Sequence, residues 1–376
     1  MLAAAFALPS APKGGLAQAV ESLCRKLLEA KEVELVMVPK HLPQGNMVQY
    51  VLIREEKALE GTDPFAPVLA VNGGTLVAKL TRQDPGAALA AVLRPCEIRA
   101  FVELVKLHQG DGERVLLVGT DCLGTMEPLE YRRWAEDGSE ATSLFLDSML
   151  GKGSLPDGAP ALRRCCQACE YPIPEGADVH IPLVGMNGSG PLALAGTRRG
   201  EEVLERLGLQ RAEPPMNRQG AVDALVAHRS AYRDELFHEV ESRLLPLEKL
   251  LGELSRCVNC YNCRDVCPVC YCKSCVMDSS TMEHPSSQYV RWARRKGAVK
   301  MPAETLFYHV TRMAHMSTSC VGCGQCSSAC PMGIPVAEIF RTVARRTQAV
   351  FHYVPGRSLQ EPLPMATFRE DELEPR

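Results

Sequence analysis

Two stretches decide how the chain is read: CVNCYNCRDVCP at 257–268 and CVGCGQCSSACP at 320–331. Each has the spacing C-x₂-C-x₂-C-x₃-C-P, the run that bacterial two-cluster ferredoxins use to hold 4Fe–4S cubes. Three cysteines spaced two apart can turn their thiolates onto one cube. The following helical turn carries the fourth away, so it ligates the other cube. The proline after it closes the loop where a backbone N–H would be surplus. The expected ligand sets are therefore Cys257, Cys260, Cys263 and Cys330 for one cluster, and Cys320, Cys323, Cys326 and Cys267 for the other. Structural zinc is the competing chemistry. It favours paired C-x₂-C units closing on four ligands, which leaves the doubled four-cysteine run unexplained.

Composition agrees with metal ligation. The chain has 376 residues and 17 cysteines, an odd number set mostly in short-spaced clusters. A length of this order predicts two or three domains rather than one core. Disulfide frameworks belong to chains too small to build a core, so a reducing compartment is expected. Lys plus Arg total 42 against 45 Asp plus Glu, a net charge of −3, and this balance gives no support to nucleic-acid binding. No apolar run approaches the roughly 18 residues needed for a membrane span. The opening MLAAAFALPSAPKGG lacks the basic start of a signal peptide, so a cytoplasmic location is expected.

Upstream, residues 1–200 alternate strand-like and helix-like segments, which predicts an α/β domain. LAQAVESLCRKLLEA (16–30) reads as a helix, VELVMV (33–38) and VLLVGT (115–120) as buried strands, and EIRAFVELVKLHQ (97–109) as a helix. PVLAV and TLVAKL read as strands around the turn at Asn72, Gly73 and Gly74. Cys96, Cys122, Cys166 and Cys169 lie in three separate pieces of this domain. Four thiolates could hold a third 4Fe–4S cluster, and isolated buried cysteines are the alternative reading. Cys24 and Cys165 read as structural. Gly14 and Gly15 precede a helix, so its start could be open to a phosphate or be a plain turn; the same pair of readings applies at Asn72–Gly74.

Residues 201–256 read as a charged helical connector, 257–348 as the two-cluster domain, and 349–376 as a Pro-rich acidic tail lying on a surface, the chain's own or a partner's. The helix-forming segment 302–316 leads straight into the second cysteine run. That layout resembles the helical ferredoxin modules of respiratory and heterodisulfide-reductase subunits. His309 and His315 on it read as structural rather than ligating. Cys270, Cys272 and Cys275 are too few for a cube; they pack around a cluster, form part of a site completed elsewhere, or are buried small hydrophobes. RWARRKGAVK (291–300) reads as a solvated basic helix face, with a face toward an acidic partner as the alternative.

Taken with KGGLAQAVESLCRKLLEA, RPCEIRAFVELVKLHQ, GTDCLGTMEP, CCQACEYPIPEGAD, CVNCYNCRDVCPVCYCKSC and VPGRSLQEPLP, the chain resembles the beta subunits of coenzyme F420-dependent formate dehydrogenases, relatives of the F420-reducing hydrogenase beta subunit. The resemblance implies an α/β flavin-binding-type domain carrying FAD and a third cluster on Cys96, Cys122, Cys166 and Cys169, followed by a mainly helical dicluster ferredoxin domain. It implies a catalytic molybdenum- or tungsten-pterin alpha subunit and a soluble carrier such as F420 or NAD. One departure stands out. The family's glycine-rich stretch near the flavin is replaced after Asp178 by VHIPLVGMNGSG, leaving Gly185 and Gly188 as candidates. A flavin-free relay, linking a dehydrogenase or hydrogenase to heterodisulfide-reductase-like subunits, is the alternative function.

Overall fold

The computed structural model describes residues 4–9, 15–43, 46–83, 86–135, 138–186, 190–244, 246–282, 285–297 and 304–368. They form two compact units. One comprises Met1–Asp234, Val321–Cys323 and Val354–Arg376, the other Glu235–Cys320 and Gly324–Tyr353. The boundary at Asp234 falls inside the helix Arg218–Arg243.

The first unit is built on a mixed sheet of eight strands: β1 Ala5–Ala7, β2 Leu35–His41, β3 Val48–Ile53, β4 Leu89–Leu93, β5 Val115–Thr120, β6 Val179–Ile181, β7 Leu192–Ala195 and β8 Arg211–Ala212, in the order β3-β2-β4-β5-β6-β7-β1-β8. β2, β4, β5 and β6 are mutually parallel, and the pairings outside them are antiparallel. β4 and β5 are buried at every position because both sheet faces are covered. Their side chains alternate between two cores. Ala90, Val92, Leu116 and Val118 join Leu23 and Leu27 of the helix Leu16–Glu29. Leu89, Ala91, Val115 and Leu117 join Val77, Phe101 and Leu104 of the helices Gly73–Thr81 and Pro95–Lys106. A one-residue slip would exchange these faces, so register is fixed by the alternation itself.

The strand reading of TLVAKL is corrected: it lies in the helix Gly73–Thr81. Asn72 caps that helix, accepting from the Gly74 N–H at 3.0 Å. PVLAV contributes one isolated bridge, Val68 to Met126. Val77, Ala78 and Thr81 are buried on the helix's inner side. A Cβ on Gly74 would lie 2.1 Å from the Glu97 carbonyl oxygen. The glycine therefore serves close helix packing, which a local turn reading misses.

Every regular element described in the second unit is helical, including Leu247–Leu254, Ser286–Lys296, Glu304–Met316 and Val336–Val350. The helix Ser286–Lys296 buries none of its residues. The two cysteine runs share a backbone path. Asn259 and Tyr261 have φ of 52° and 60°, and the corresponding Gly322 and Gly324 have 71° and 79°. The loop needs two left-handed residues at fixed places. Glycine meets that need without strain in the second run, whereas in the first an Asn and a Tyr are forced into it. The Tyr261 ring is held against Tyr308, with centroids 4.8 Å apart.

Residues 354–368 belong to the first unit, so the expected surface is the chain's own. Gly356 N–H donates to Glu103 Oε1 at 2.8 Å, and Arg99 Nε donates to the Pro355 carbonyl at 2.8 Å.

Candidate metal centres

In the first unit the carboxyl ends of adjacent parallel strands deliver two thiols, where ligands collect in open α/β sheets. β4 runs into Arg94, Pro95 and Cys96; β5 runs into Asp121 and Cys122. Cys166 sits on the one-turn helix Arg164–Gln167, and the Cys169 N–H donates to the Cys166 carbonyl at 3.2 Å. These four cysteines, remote in sequence, line one cleft. Cys165 and Cys323 line it too, as do Arg94, Arg163 and Arg229. Cys323 reaches it because the segment Val321–Cys323 packs in this unit, where Arg99 Nη1 donates to the Val321 carbonyl at 3.2 Å.

The turn bearing Cys122 is anchored on both sides. Arg229 donates to the Cys122 carbonyl at 3.1 Å. The preceding Asp121 carboxylate is fully enclosed. It accepts from His180 at 2.7 Å, from Arg218 at 2.7 and 2.9 Å, and from the Leu183 and Val184 N–H groups at 2.8 and 2.9 Å. Burial opposes its ionisation, yet the His180 and Arg218 hydrogen bonds hold its pKa down at about 2.

Thiol electrostatics in the cleft are uneven. Burial pushes Cys96 well above its ordinary range, with Glu97 and neighbouring thiols adding to it. Burial takes Cys122 to about 11, reinforced by Cys166. Cys166 goes the other way. Burial is outweighed by the Arg163 cation and by hydrogen bonds from Thr125 Oγ1, 3.3 Å away, and Arg163, 3.5 Å away. Crowded buried thiols resist becoming several thiolates at once unless a polycationic group takes the charge. Among the described residues, no three His, Cys, Asp or Glu side chains converge as a single ion requires.

In the second unit Cys260 is exposed, Cys263 is buried, and Cys257, Cys267, Cys326 and Cys330 are half-buried. Helix Glu304–Met316 lies along the first run. Tyr308 Oη is 3.2 Å from Cys263 Sγ, and Arg312 donates to the same sulfur at 3.1 Å and to the Cys263 carbonyl at 3.0 Å. His309 Nε2 is 3.4 Å from Cys257 Sγ, and burial first, then Arg312, lowers its pKa to about 4. His315 is exposed. Cys272 is also exposed, and Cys270 and Cys275 are half-buried, so none of these three is a core thiol. Cys24 is, with burial pushing it up to about 12.

The glycines proposed for a cofactor have different surroundings. Gly14 and Gly188 lie outside the described residues. Gly185 has φ +73°, and a Cβ there would lie 2.7 Å from Arg218 Cα, so its open side is filled by the helix Arg218–Arg243. Gly15 caps the helix Leu16–Glu29 and lines a cleft of about 470 Å³ shared with Glu21, Asp63 and Asp147. The start of the helix Gly73–Thr81 is already occupied by an anion, since the Gly73 N–H donates to Glu97 Oε1 at 2.7 Å. Sequence reading missed Thr125, Arg163, Tyr308 and Arg312, whose partners are known only once the chain is folded.

Residues 253–334 match the 4Fe–4S dicluster domain family. The beta subunit of the F420-dependent formate dehydrogenase of Methanocaldococcus jannaschii is 27% identical over 361 residues, covering 90% of this chain and 91% of that protein. The F420-dependent formate dehydrogenase 1 subunit beta of Methanococcus maripaludis is 27% identical over 372 residues, 92% of each. A chain from the xenon-derivatised F420-reducing [NiFe] hydrogenase complex of Methanosarcina barkeri superposes with a TM-score of 0.44 at 12% identity, covering 65% of this chain and 92% of that one. Along about nine-tenths of its length, then, the chain is a homologue of the beta subunits of F420-dependent formate dehydrogenase, an oxidoreductase complex, and it carries a 4Fe–4S dicluster domain.

Proposed function

We propose that the chain is the electron-transfer subunit of a formate-dehydrogenase-type complex, carrying three 4Fe–4S clusters between a pterin-dependent catalytic subunit and an acceptor. The observation that carries this reading is the cleft shared by Cys96, Cys122, Cys166, Cys169 and Cys323. Cys323 belongs to the second ligand set expected from the cysteine runs. The first four would hold the third cluster. The clusters supply one-electron chemistry. The chain supplies pre-placed thiolates and the cations Arg94, Arg163 and Arg229, which offset the charge of a tetrathiolate cube in a low-dielectric site.

FAD and a deazaflavin or nicotinamide carrier complete this reading, in line with the homologues' dependence on F420. A flavin-free relay is the second reading, and one observation favours it. The cleft at Gly15 is lined by Asp147, by Glu21 paired with Arg25 and by Asp63 paired with His41, an acidic lining that disfavours a diphosphate. Anaerobic purification of the full chain with iron and flavin analysis separates the two. About twelve irons and one flavin per chain support the first, and about eight or twelve irons without flavin support the second. The double variant Cys122→Ala with Cys169→Ala should lower iron by about four per chain. Zinc with negligible iron would refute both.

A further inference from the structure

We propose that the buried stripe of helix Glu304–Met316 raises the reduction potential of the cluster on Cys257, Cys260, Cys263 and Cys330, with Arg312 as its dominant residue. The proposal rests on that ligand set. The buried residues of this helix are Thr305, Tyr308, His309, Arg312 and Met316. They stand at i, i+3, i+4, i+7 and i+11, where a core-facing helix ordinarily places aliphatic side chains. Here each meets the cysteine framework instead. Thr305 donates to Asn259 Oδ1 at 3.0 Å, between the first two cysteines of the run. Tyr308 and Arg312 reach Cys263 Sγ, and His309 reaches Cys257 Sγ. Met316 Sδ lies 4.0 Å from Cys267 Sγ.

Arg312 is 5% exposed and has no carboxylate partner among the described residues. Its Nε, like His309 Nδ1, is buried without a hydrogen-bond partner among them. A buried guanidinium needs an anion, and the anion offered here is thiolate sulfur. It is also fixed in place, its guanidinium lying 5.0 Å from the Phe340 ring centroid and 5.6 Å from that of Tyr308. A reduced cluster carries one more negative charge than an oxidised one. Hydrogen bonds to its cysteine sulfurs and a fixed neighbouring cation therefore favour reduction. Both act most directly on the set containing Cys257 and Cys263, which biases where an electron rests within the pair of clusters.

The test is a potentiometric titration of the iron-loaded full chain followed by electron paramagnetic resonance. Arg312→Gln should lower one midpoint so that the reduced-to-oxidised ratio at fixed potential falls at least tenfold, which is about 59 mV for a one-electron couple. Tyr308→Phe should move the same midpoint down by less, and Arg312→Lys, which keeps the charge, should fall between them. An unchanged or raised midpoint in Arg312→Gln at full iron content overturns the proposal. If that variant does not hold iron, Tyr308→Phe at full iron content decides: a downward shift sustains the proposal and no shift overturns it. Iron content and spectrum of the unsubstituted chain judge the ligand set itself, separately from these shifts.

Discussion

Asp121→Asn is the substitution whose consequences can be worked furthest. The side chain keeps its shape and loses its charge, facing five donors from His180, Arg218, Leu183 and Val184. Holding the carboxyl at about 2 against an ordinary 3.8 corresponds to about 2 kcal/mol, at about 1.4 kcal/mol per pH unit. Removing one partner of a buried pair costs more, roughly 3–5 kcal/mol, because Arg218, only 12% exposed, is left uncompensated. In a unit of this size each kcal/mol moves Tm by about 2–4 °C, so a fall near 10 °C at pH 7 is expected for its transition in differential scanning calorimetry. The sign with pH follows from the lowered pKa. The native carboxylate's advantage is complete above the unfolded value of 3.8 and is lost as pH falls toward 2. The unsubstituted chain should lose stability steeply across that window, and the variant should lack this component. Because Asp121 adjoins Cys122, iron should also drop by up to about four per chain while the dicluster signals persist. A variant within 2 °C of the parent (about 1 kcal/mol or less), with the same acid slope, would show that the clamp does not hold the Cys122 turn.

Gly74→Ala should destabilise by about 1–3 kcal/mol, read by the same calorimetry, since its Cβ would meet the Glu97 carbonyl and the helices Gly73–Thr81 and Pro95–Lys106 would have to part. An unchanged Tm would mean that the two helices yield without cost. Arg99→Ala strips the Val321 and Pro355 carbonyls of their donor, at about 1–3 kcal/mol for each buried group left unpaired. Limited proteolysis with mass spectrometry should then show faster cleavage between 354 and 368, and an unaltered digestion pattern would count against the contact.

What could be read in the sequence was whatever depends on local spacing. The cysteine runs declare themselves because a cube is gripped by residues two and three apart. β4 and β5 declare themselves because strands covered on both faces are apolar throughout. The third set of thiols needed the fold: Cys96 and Cys169 are brought together by two adjacent strand ends and a one-turn helix. TLVAKL was misread because the partner that makes Gly74 a packing glycine is Glu97, more than twenty residues on. Gly185, a candidate flavin glycine by sequence, packs against Arg218, more than thirty residues on. The place of Cys323 depends on Arg99, 222 residues away from Val321, a distance that no periodicity reports. One missed signal was present all along, in the polar stripe at 305, 308, 309 and 312 on a helix whose buried side should have been aliphatic.

The two candidate centres, on different folds, arrive at the same local solution. In the sheet unit Cys166 Sγ meets a hydroxyl, Thr125, and a buried arginine, Arg163. In the helical unit Cys263 Sγ meets a hydroxyl, Tyr308, and a buried arginine, Arg312. A buried arginine beside a neutral thiol would be a net cost, because its charge has lost water and gained little. Beside a thiolate the same arginine holds a charge-assisted hydrogen bond in a low dielectric, among the stronger interactions available to a side chain. The repetition sets one cysteine sulfur in each unit, Cys166 and Cys263, between a hydroxyl and a buried arginine. In the sheet unit Arg94, Arg163 and Arg229 line the same cleft and would offset the charge of the proposed third cluster.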